Sequence, residues 1–295
     1  YRKDRTARRV LSNFRTASHR RRFARTRNGL WAGGGTSGRL AMAHLKTRAE
    51  IEKIRAAGRI VYKAIHTAGC AVAPGVTTAK LEDIASQIIS DSGGSSPFLG
   101  YAPNGHPPFP AWTCISVNNQ IVHGIPGDYA LREGDIVTID CGVELNGWIA
   151  DSAWTFPVGD ISARASRLLQ VTHDALFKGI AQAKPGNRMG DIGWAVQRHA
   201  ETNGFSVVRE LTGHGVGTTL HEGIQIPNYG RRGKGTPIQA GMTLAIEPML
   251  NSGKKEIAVL EDEWTIVTAD GSLSAHFEHT VAVTHSGTEI LTNGE

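Results

Sequence analysis

The chain has 295 residues, 40% of them hydrophobic, and carries a formal net charge of +5. That length suits one large domain or two small ones, and no apolar run approaches the ~20 residues of a membrane-spanning helix. Cys70, Cys114 and Cys141 are widely spaced; they form neither a CxxC pair nor a disulfide framework, which fits a reducing compartment.

The charge is unevenly placed. Residues 1–40 hold eleven Arg and one Lys against the single acid Asp4, so the remainder of the chain is net acidic. The first 44 residues show no sustained amphipathic period and end in the Gly-rich WAGGGTSGRLAMAH. They read as a disordered extension, residues 1–44, ahead of one folded domain, residues 45–295. Three readings of the extension compete. An Arg-rich, acid-poor leader resembles an organellar transit peptide. A basic arm suits the phosphates of RNA or the ribosome. The preferred reading is that Met42 is the true start, because structured sequence begins directly after it.

Thr47-Arg-Ala-Glu50 is a capping box. Ile51, Ile54, Ile60, Val61, Ala64 and Ile65 follow at helical spacing and predict a helix ending near Gly69. Pro74-Gly75 breaks the chain. A second helix is expected from about Thr78, with Leu81, Ile84, Ala85, Ile88 and Ile89 on one face, ending at Gly93-Gly94. Tyr101 to Pro110 is a Pro/Gly-rich loop, and Cys114 to Val122 reads as a strand leading into VHGIP. Next come two alternating runs around Asn146-Gly147, the signal of a type I′ hairpin. With those two residues as the loop, Leu145 faces Trp148, Val143 faces Ala150 and Asp140 faces Ala153. Val137, Ile139, Cys141 and Val143 then share a core face with Ala150, Trp154 and Phe156. Asp140 and Asp151 share the other face as diagonal neighbours, roughly 7–8 Å apart at the backbone. Two like charges that close repel, and a cation between them is the natural remedy.

The pattern then restarts. Leu168, Leu169, Leu176 and Ile180 mark a helix, Pro185-Gly186 breaks it, and another helix runs from Met189 to about Thr202. Helix, Pro-Gly and helix thus occur twice, at an offset of about 110 residues. Each copy leads into strands; the second set holds GHGVGTTLHEG, GMTLAIEP and AHFEHTVAV. Gly134 to Asp140 aligns with Gly241 to Glu247, the carboxylate falling six residues after the glycine in both. His123 before Gly-Ile-Pro aligns with His221 before Glu-Gly-Ile-Gln-Ile-Pro. The matches suggest an internal duplication whose halves share one site.

The candidates for that site are His123, Asp140, Asp151, His214, His221, Glu247 and Glu278. Carboxylates with one or two imidazoles form an oxygen-rich set that suits Mn2+, Fe2+ or Co2+ better than a thiolate-held structural zinc. Two bridging carboxylates can hold a metal pair about 3.5–4 Å apart, the spacing of two-metal hydrolysis. No HExxH, GxSxG, P-loop or GxGxxG motif is present, so zincin, serine hydrolase, NTPase and Rossmann readings lack their first requirement.

These segments resemble the type I methionine aminopeptidases. IEKIRAAGRIV, SVNNQIVHGIP, GDIVTIDCGVELNGWIADSAWTF, GHGVGTTLHEGIQIPNYG, GMTLAIEPML and DGSLSAHFEHTVAVT occur in the family's order, over about residues 43–293. The resemblance implies the α+β pita-bread fold, in which pseudo-two-fold duplicated halves surround a central antiparallel sheet. It implies five metal ligands, Asp140, Asp151, His214, Glu247 and Glu278, holding two divalent ions (Co2+, Mn2+, Fe2+ or Zn2+), with Asp151 and Glu278 bridging. His123 and His221 would contact the substrate and stabilise the reacting carbonyl, Glu247 would shuttle a proton to the leaving amine, and Tyr101, Phe109, Cys114 and Trp264 would line the methionine pocket. The implied activity is removal of the initiator methionine from nascent chains by metal-activated water, in a cytoplasmic monomer that acts near the ribosome and without a membrane.

Four departures from the family's pattern stand out: Leu220 where Phe is usual, His276 where Gln is common, Ala150 where Gly is frequent, and a longer loop between Tyr101 and Phe109. The tail lacks the proline motif and the zinc-finger cluster of some members. An Xaa-Pro dipeptidase or aminopeptidase of the same fold is the nearest rival, but such enzymes carry a sizeable N-terminal domain. A catalytically dead relative that binds RNA or the ribosome is the rival from another class, and it should have lost ligands that are all retained here.

Overall fold

The computed structural model describes residues 44–295. The Arg-rich extension, its three readings and the candidate start at Met42 therefore lie outside the described residues.

Helix α1 (Arg48–Cys70) starts where its capping box places it. The Thr47 hydroxyl accepts from the Glu50 N–H at 3.3 Å, and the Glu50 carboxylate accepts from the Thr47 N–H at 2.7 Å. Two orphan donors of the first turn are thus satisfied reciprocally. Helix α2 (Thr78–Asp91) follows the Pro-Gly break. The stretch read as one strand is two: β1 (Thr113–Val117) and β2 (Gln120–Val122). Asn118 separates them in the left-handed region, with φ of 56°. Its amide donates to Asp135 Oδ1 at 2.7 Å and accepts from the Ile136 N–H at 3.1 Å. An Asn that tolerates left-handed backbone and bonds the neighbouring main chain makes a turn at low cost.

Strands β3 (Ile136–Leu145) and β4 (Trp148–Pro157) form the expected hairpin, with Leu145 opposite Trp148 and Asp140 opposite Ala153. Asn146 and Gly147 both have positive φ, 51° and 79°, as a type I′ turn requires. Strand β1 pairs with β3 and sets Cys114 directly across from Asp140. On the back of this sheet, α1 and α2 bury Ile54, Val61, Leu81 and Ile89 against Val137, Ile139, Cys141 and Val143.

The second half repeats the plan. Helices α3 (Ala163–Ile180) and α4 (Met189–Thr202) precede β5 (Ser206–Val207), β6 (Thr212–Gly215), β7 (Glu222–Pro227), β8 (Thr243–Ile246), β9 (Met249–Asn251), β10 (Ile257–Val259), β11 (Ile266–Thr268), β12 (Ser274–His276), β13 (His279–Thr284) and β14 (Gly287–Ile290). Their main sheet runs β14-β13-β8-β6-β7. Leu168, Leu176, Ile192 and Val196 of α3 and α4 pack against Leu244, Ile246 and Val281 of that sheet.

The halves join where β4 meets the start of β13. The Glu278 N–H donates to the Ala153 carbonyl at 2.9 Å. The Thr280 hydroxyl accepts from the Asp151 N–H at 3.0 Å and donates to the Asp151 carbonyl at 2.7 Å. The Thr155 hydroxyl donates to the His276 carbonyl at 2.7 Å and accepts from its N–H at 3.1 Å. Asp151 beside Thr280, Ala153 beside Glu278 and Thr155 beside His276 keep one antiparallel register. Threonine hydroxyls substitute for ladder hydrogen bonds, so the buried backbone groups of the seam are satisfied. No described helix is long and apolar enough to cross a membrane.

Candidate metal centre

The seam decides which side chains meet. Asp140 lies on β3, Asp151 on β4, Glu278 just before β13, Glu247 just after β8 and His214 on β6. These strands are successive neighbours across the joined sheet, so each contributes one carboxylate or imidazole to a single spot. Gly213 lets β6 lie close enough: a Cβ there would stand 2.4 Å from the Ala245 carbonyl oxygen on β8, well inside van der Waals contact.

Ligand atoms of Asp151, His214 and Glu278 all lie within 4.8 Å of one another. His214 Nε2 is 3.8 Å from Asp151 Oδ2 and 3.5 Å from Glu247 Oε1. His214 Nδ1 meets the Gly215 carbonyl at 3.1 Å, an arrangement that holds a proton on Nδ1 and turns Nε2 toward the carboxylates. Asp140 shares the face of Asp151, as the hairpin register demands.

The residues fit a divalent cation. Asp140, Asp151, His214 and Glu278 are buried, and Asp140 Oδ1, Asp151 Oδ1 and Glu278 Oε1 have no hydrogen-bond partner among the described residues. An uncompensated buried anion costs several kcal/mol, of order 3–5 when a partner is removed. Burial raises the Asp151 carboxyl to about 7, and burial followed by the charge of Asp151 raises Asp140 and Glu278 well above the carboxylate range. Glu247 is raised by burial, then by Asp151 and Asp140. Burial, with the neighbouring His221 second, holds His214 well below its ordinary value, neutral and free to donate a lone pair. Neutral imidazole with carboxylates is a donor set for first-row divalent metals.

The same shifts make the metal-free protein pH-sensitive. A carboxyl whose folded pKa is raised binds a proton that the unfolded chain has released, so stability falls as pH rises between the two values. For Asp151 that window runs from the ordinary 3.8 to about 7. His276, lowered by burial to about 3, and His279, lowered to about 4, act oppositely up to the ordinary 6.5. Above 6.5 only the carboxylates remain. The melting temperature of metal-stripped protein is therefore expected to fall between pH 6.5 and 8, and saturating Mn2+ should flatten the curve. Calorimetry with and without the metal reads this directly.

Beside the carboxylates lies a buried apolar cluster, joined to them where Cys114 stands opposite Asp140. Phe109, Cys114 and Trp264 pack with Phe98, Ile149 and Leu220, and Tyr101 closes one side. The Trp264 ring meets Phe109 edge-on at 5.2 Å, and its indole N–H donates to the Pro107 carbonyl at 2.9 Å. Burial, then Asp140 and Asp151, push the Cys114 thiol far up, so it serves as an uncharged wall. His123 stands 6.1 Å from Trp264, ring centre to ring centre, with backbone φ of 59°. His221 sits between the apolar cluster and the carboxylates, its ring centre 4.3 Å from that of His214. Its Nδ1 is 2.7 Å from the Tyr101 hydroxyl.

The profile of metallopeptidase family M24 matches residues 52–285. The methionine aminopeptidase of Clostridium perfringens is 49% identical over 251 residues, 85% of this chain and 99% of that protein. The chain belongs to the methionine aminopeptidases of family M24. Methionine aminopeptidase 1 of Bacillus subtilis is likewise 49% identical, over 84% of this chain and 98% of its own length. The crystal structure of the Thermotoga maritima methionine aminopeptidase superposes with a TM-score of 0.82 at 43% identity, covering 85% of this chain and 99% of that one. The Pyrococcus horikoshii prolidase shares the pita-bread fold alone, with a TM-score of 0.68 at 21% identity over 65% of its length. The family's activity, metal-dependent removal of an N-terminal methionine, is the activity of this chain.

Three features escape a reading of the sequence. Lys46, buried, pairs with Glu222, the residue after His221. It thereby ties the chain entering α1 to the loop that carries His221; only its place just outside the capping box hinted at this. Phe98 and Ile149 join the apolar cluster from segments with no pocket signal. His276 turns toward the carboxylates.

Proposed function

We propose that Asp140, Asp151, His214, Glu247 and Glu278 hold two divalent ions, with Asp151 and Glu278 shared between them. The observation that carries this reading is the group of buried carboxylates and imidazole beside an apolar cluster, with Asp140 Oδ1, Asp151 Oδ1 and Glu278 Oε1 lacking a hydrogen-bond partner among the described residues. Ions held by these residues would supply a bound water of lowered pKa and a Lewis acid for the scissile carbonyl.

The chain's own groups do the rest. The carboxylates give the site a negative field that receives the substrate's free α-amino group and limits cleavage to the first residue. Tyr101, Phe109, Cys114 and Trp264 enclose the methionine side chain. The Tyr101 hydroxyl donates to His221 Nδ1, which leaves the ring proton on Nε2 to donate to the developing oxyanion. His123 contacts the substrate from the side of the apolar cluster, and Glu247 passes a proton to the leaving amine. Tyr101→Phe is expected to lower kcat about 3- to 10-fold with little change in KM, the value of one hydrogen bond. Steady-state kinetics on a methionyl tripeptide measures it.

Nascent-chain N-termini are the substrates, and we place the enzyme as a cytoplasmic monomer working beside the ribosome. The methionine aminopeptidases named above come from the bacteria Clostridium perfringens, Bacillus subtilis and Thermotoga maritima, which lends no support to an organellar leader. The deciding experiment supplies metal-stripped protein with Mn2+, Co2+, Fe2+ or Zn2+ and follows release from Met-Ala-Ser and from an Ala-Pro peptide. Metal-dependent release of methionine alone supports the reading. Cleavage of the Ala-Pro peptide instead would favour the prolidase branch, and saturation at one ion per chain would overturn the two-ion centre.

A further inference from the structure

We propose that His276 is a sixth protein ligand of this metal centre, a second imidazole that works beside His214; the proposal rests on the reading of the carboxylate cluster as a metal site. His276 is 1% exposed, and neither of its ring nitrogens has a hydrogen-bond partner among the described residues. A buried imidazole without a donor or acceptor partner loses the hydration of both nitrogens and gains nothing for it.

The ring is aimed. His276 closes β12, and its N–H and carbonyl are both engaged by the Thr155 hydroxyl, so the backbone that delivers the ring is fixed. Phe277 turns into the core against Trp154, with ring centres 4.9 Å apart. By strand alternation His276 and Glu278 therefore face the same side. His276 Nε2 stands 3.7 Å from Glu247 Oε2 and 4.0 Å from Glu278 Oε2.

Those separations are too long for hydrogen bonds. They are the separations of atoms that share a cation: two donors each about 2.1 Å from one ion stand about 3 Å apart at right angles and about 4.2 Å apart when opposed. His214 Nε2 makes the same kind of approach, 3.5 Å from Glu247 Oε1 and 3.8 Å from Asp151 Oδ2. The two imidazoles thus flank Glu247, one at each carboxylate oxygen. His276 adds its nitrogen on the side where Glu247 Oε2 and Glu278 Oε2 converge. A second imidazole moves the site's preference from Mn2+ toward Co2+ and Zn2+.

The test is the proton NMR spectrum of the full-length protein loaded with two equivalents of Co2+. Each cobalt-bound imidazole keeps one solvent-exchangeable ring N–H, which appears as a strongly shifted signal. Two such signals are expected. His276→Gln should remove one, leave the other in place, and weaken Co2+ binding at least about tenfold while changing Mn2+ affinity much less. A single exchangeable signal in the unmodified protein would overturn the assignment and leave the five-ligand centre standing. No shifted signal at all would overturn the metal-centre reading and the proposal together. The wild-type count stands whether or not the variant folds.

Discussion

Asp151→Ala is expected to lower kcat/KM by at least about 10³-fold and to leave the protein short of metal. Asp151 is the member of the cluster that the others meet. Its Oδ2 faces His214 at 3.8 Å, its ligand oxygen lies within 4.8 Å of both His214 and Glu278, and its charge helps raise Asp140, Glu247 and Glu278. The truncation spares the scaffold, because the seam uses only the Asp151 backbone. It also removes a buried anion that lacks a partner when no cation is bound. The metal-free variant should therefore melt higher than metal-free wild type at pH 8, where the carboxylates repel each other most. Elemental analysis, methionine release and calorimetry on the same preparations separate the possibilities. A variant that binds metal fully and turns over normally would sink the role of Asp151. One that loses activity and also melts lower without metal would make Asp151 a structural residue.

Local chemistry made much of this centre legible in the chain. Asn146-Gly147 sets the hairpin turn, the turn sets the register, and the register alone puts Asp140 and Asp151 on one face. The Thr47 capping box and the two Pro-Gly breaks locate the helices within a few residues. The repeated glycine-to-carboxylate spacing of Gly134 to Asp140 and Gly241 to Glu247 announces two halves. In the fold, each half contributes strands to one sheet that joins at β4 and β13.

What was not legible is the long-range part. Nothing local says that Thr155 and Thr280 use their hydroxyls to knit β4 to the segment around Glu278, because a threonine on a strand ordinarily signals only β propensity. Yet that junction brings Glu278 to Asp151. The break between β1 and β2 was missed for a different reason. Asn118-Asn119 carries a turn signal, but the apolar residues on either side mask it. Lys46 and Glu222 are far apart in sequence, and a buried ion pair leaves no periodic trace.

His221→Ala is expected to reduce kcat by about 10² to 10³, the cost of losing one oxyanion donor, with KM changed far less. The argument is geometric. His221 stands against His214 at 4.3 Å between ring centres and bonds Tyr101 of the apolar cluster, so it lies on the boundary between the carboxylates and the side chains proposed to enclose the methionine. The first peptide carbonyl must cross that boundary. Tyr101 Oη lies 2.7 Å from Nδ1; when the hydroxyl donates to it, Nε2 is the ring atom left to donate there. If Tyr101 acts through His221, the two substitutions cannot add: Tyr101→Phe in the His221→Ala background should cost almost nothing beyond the single variant. If instead Tyr101 acts only as a wall of the pocket, its loss should raise KM equally in both backgrounds. The cycle therefore tests two things at once, the role of His221 at the reacting carbonyl and the service of a pocket residue as the group that fixes its tautomer. Methionine release from Met-Ala-Ser by the four proteins, each at saturating metal, is sufficient to read it.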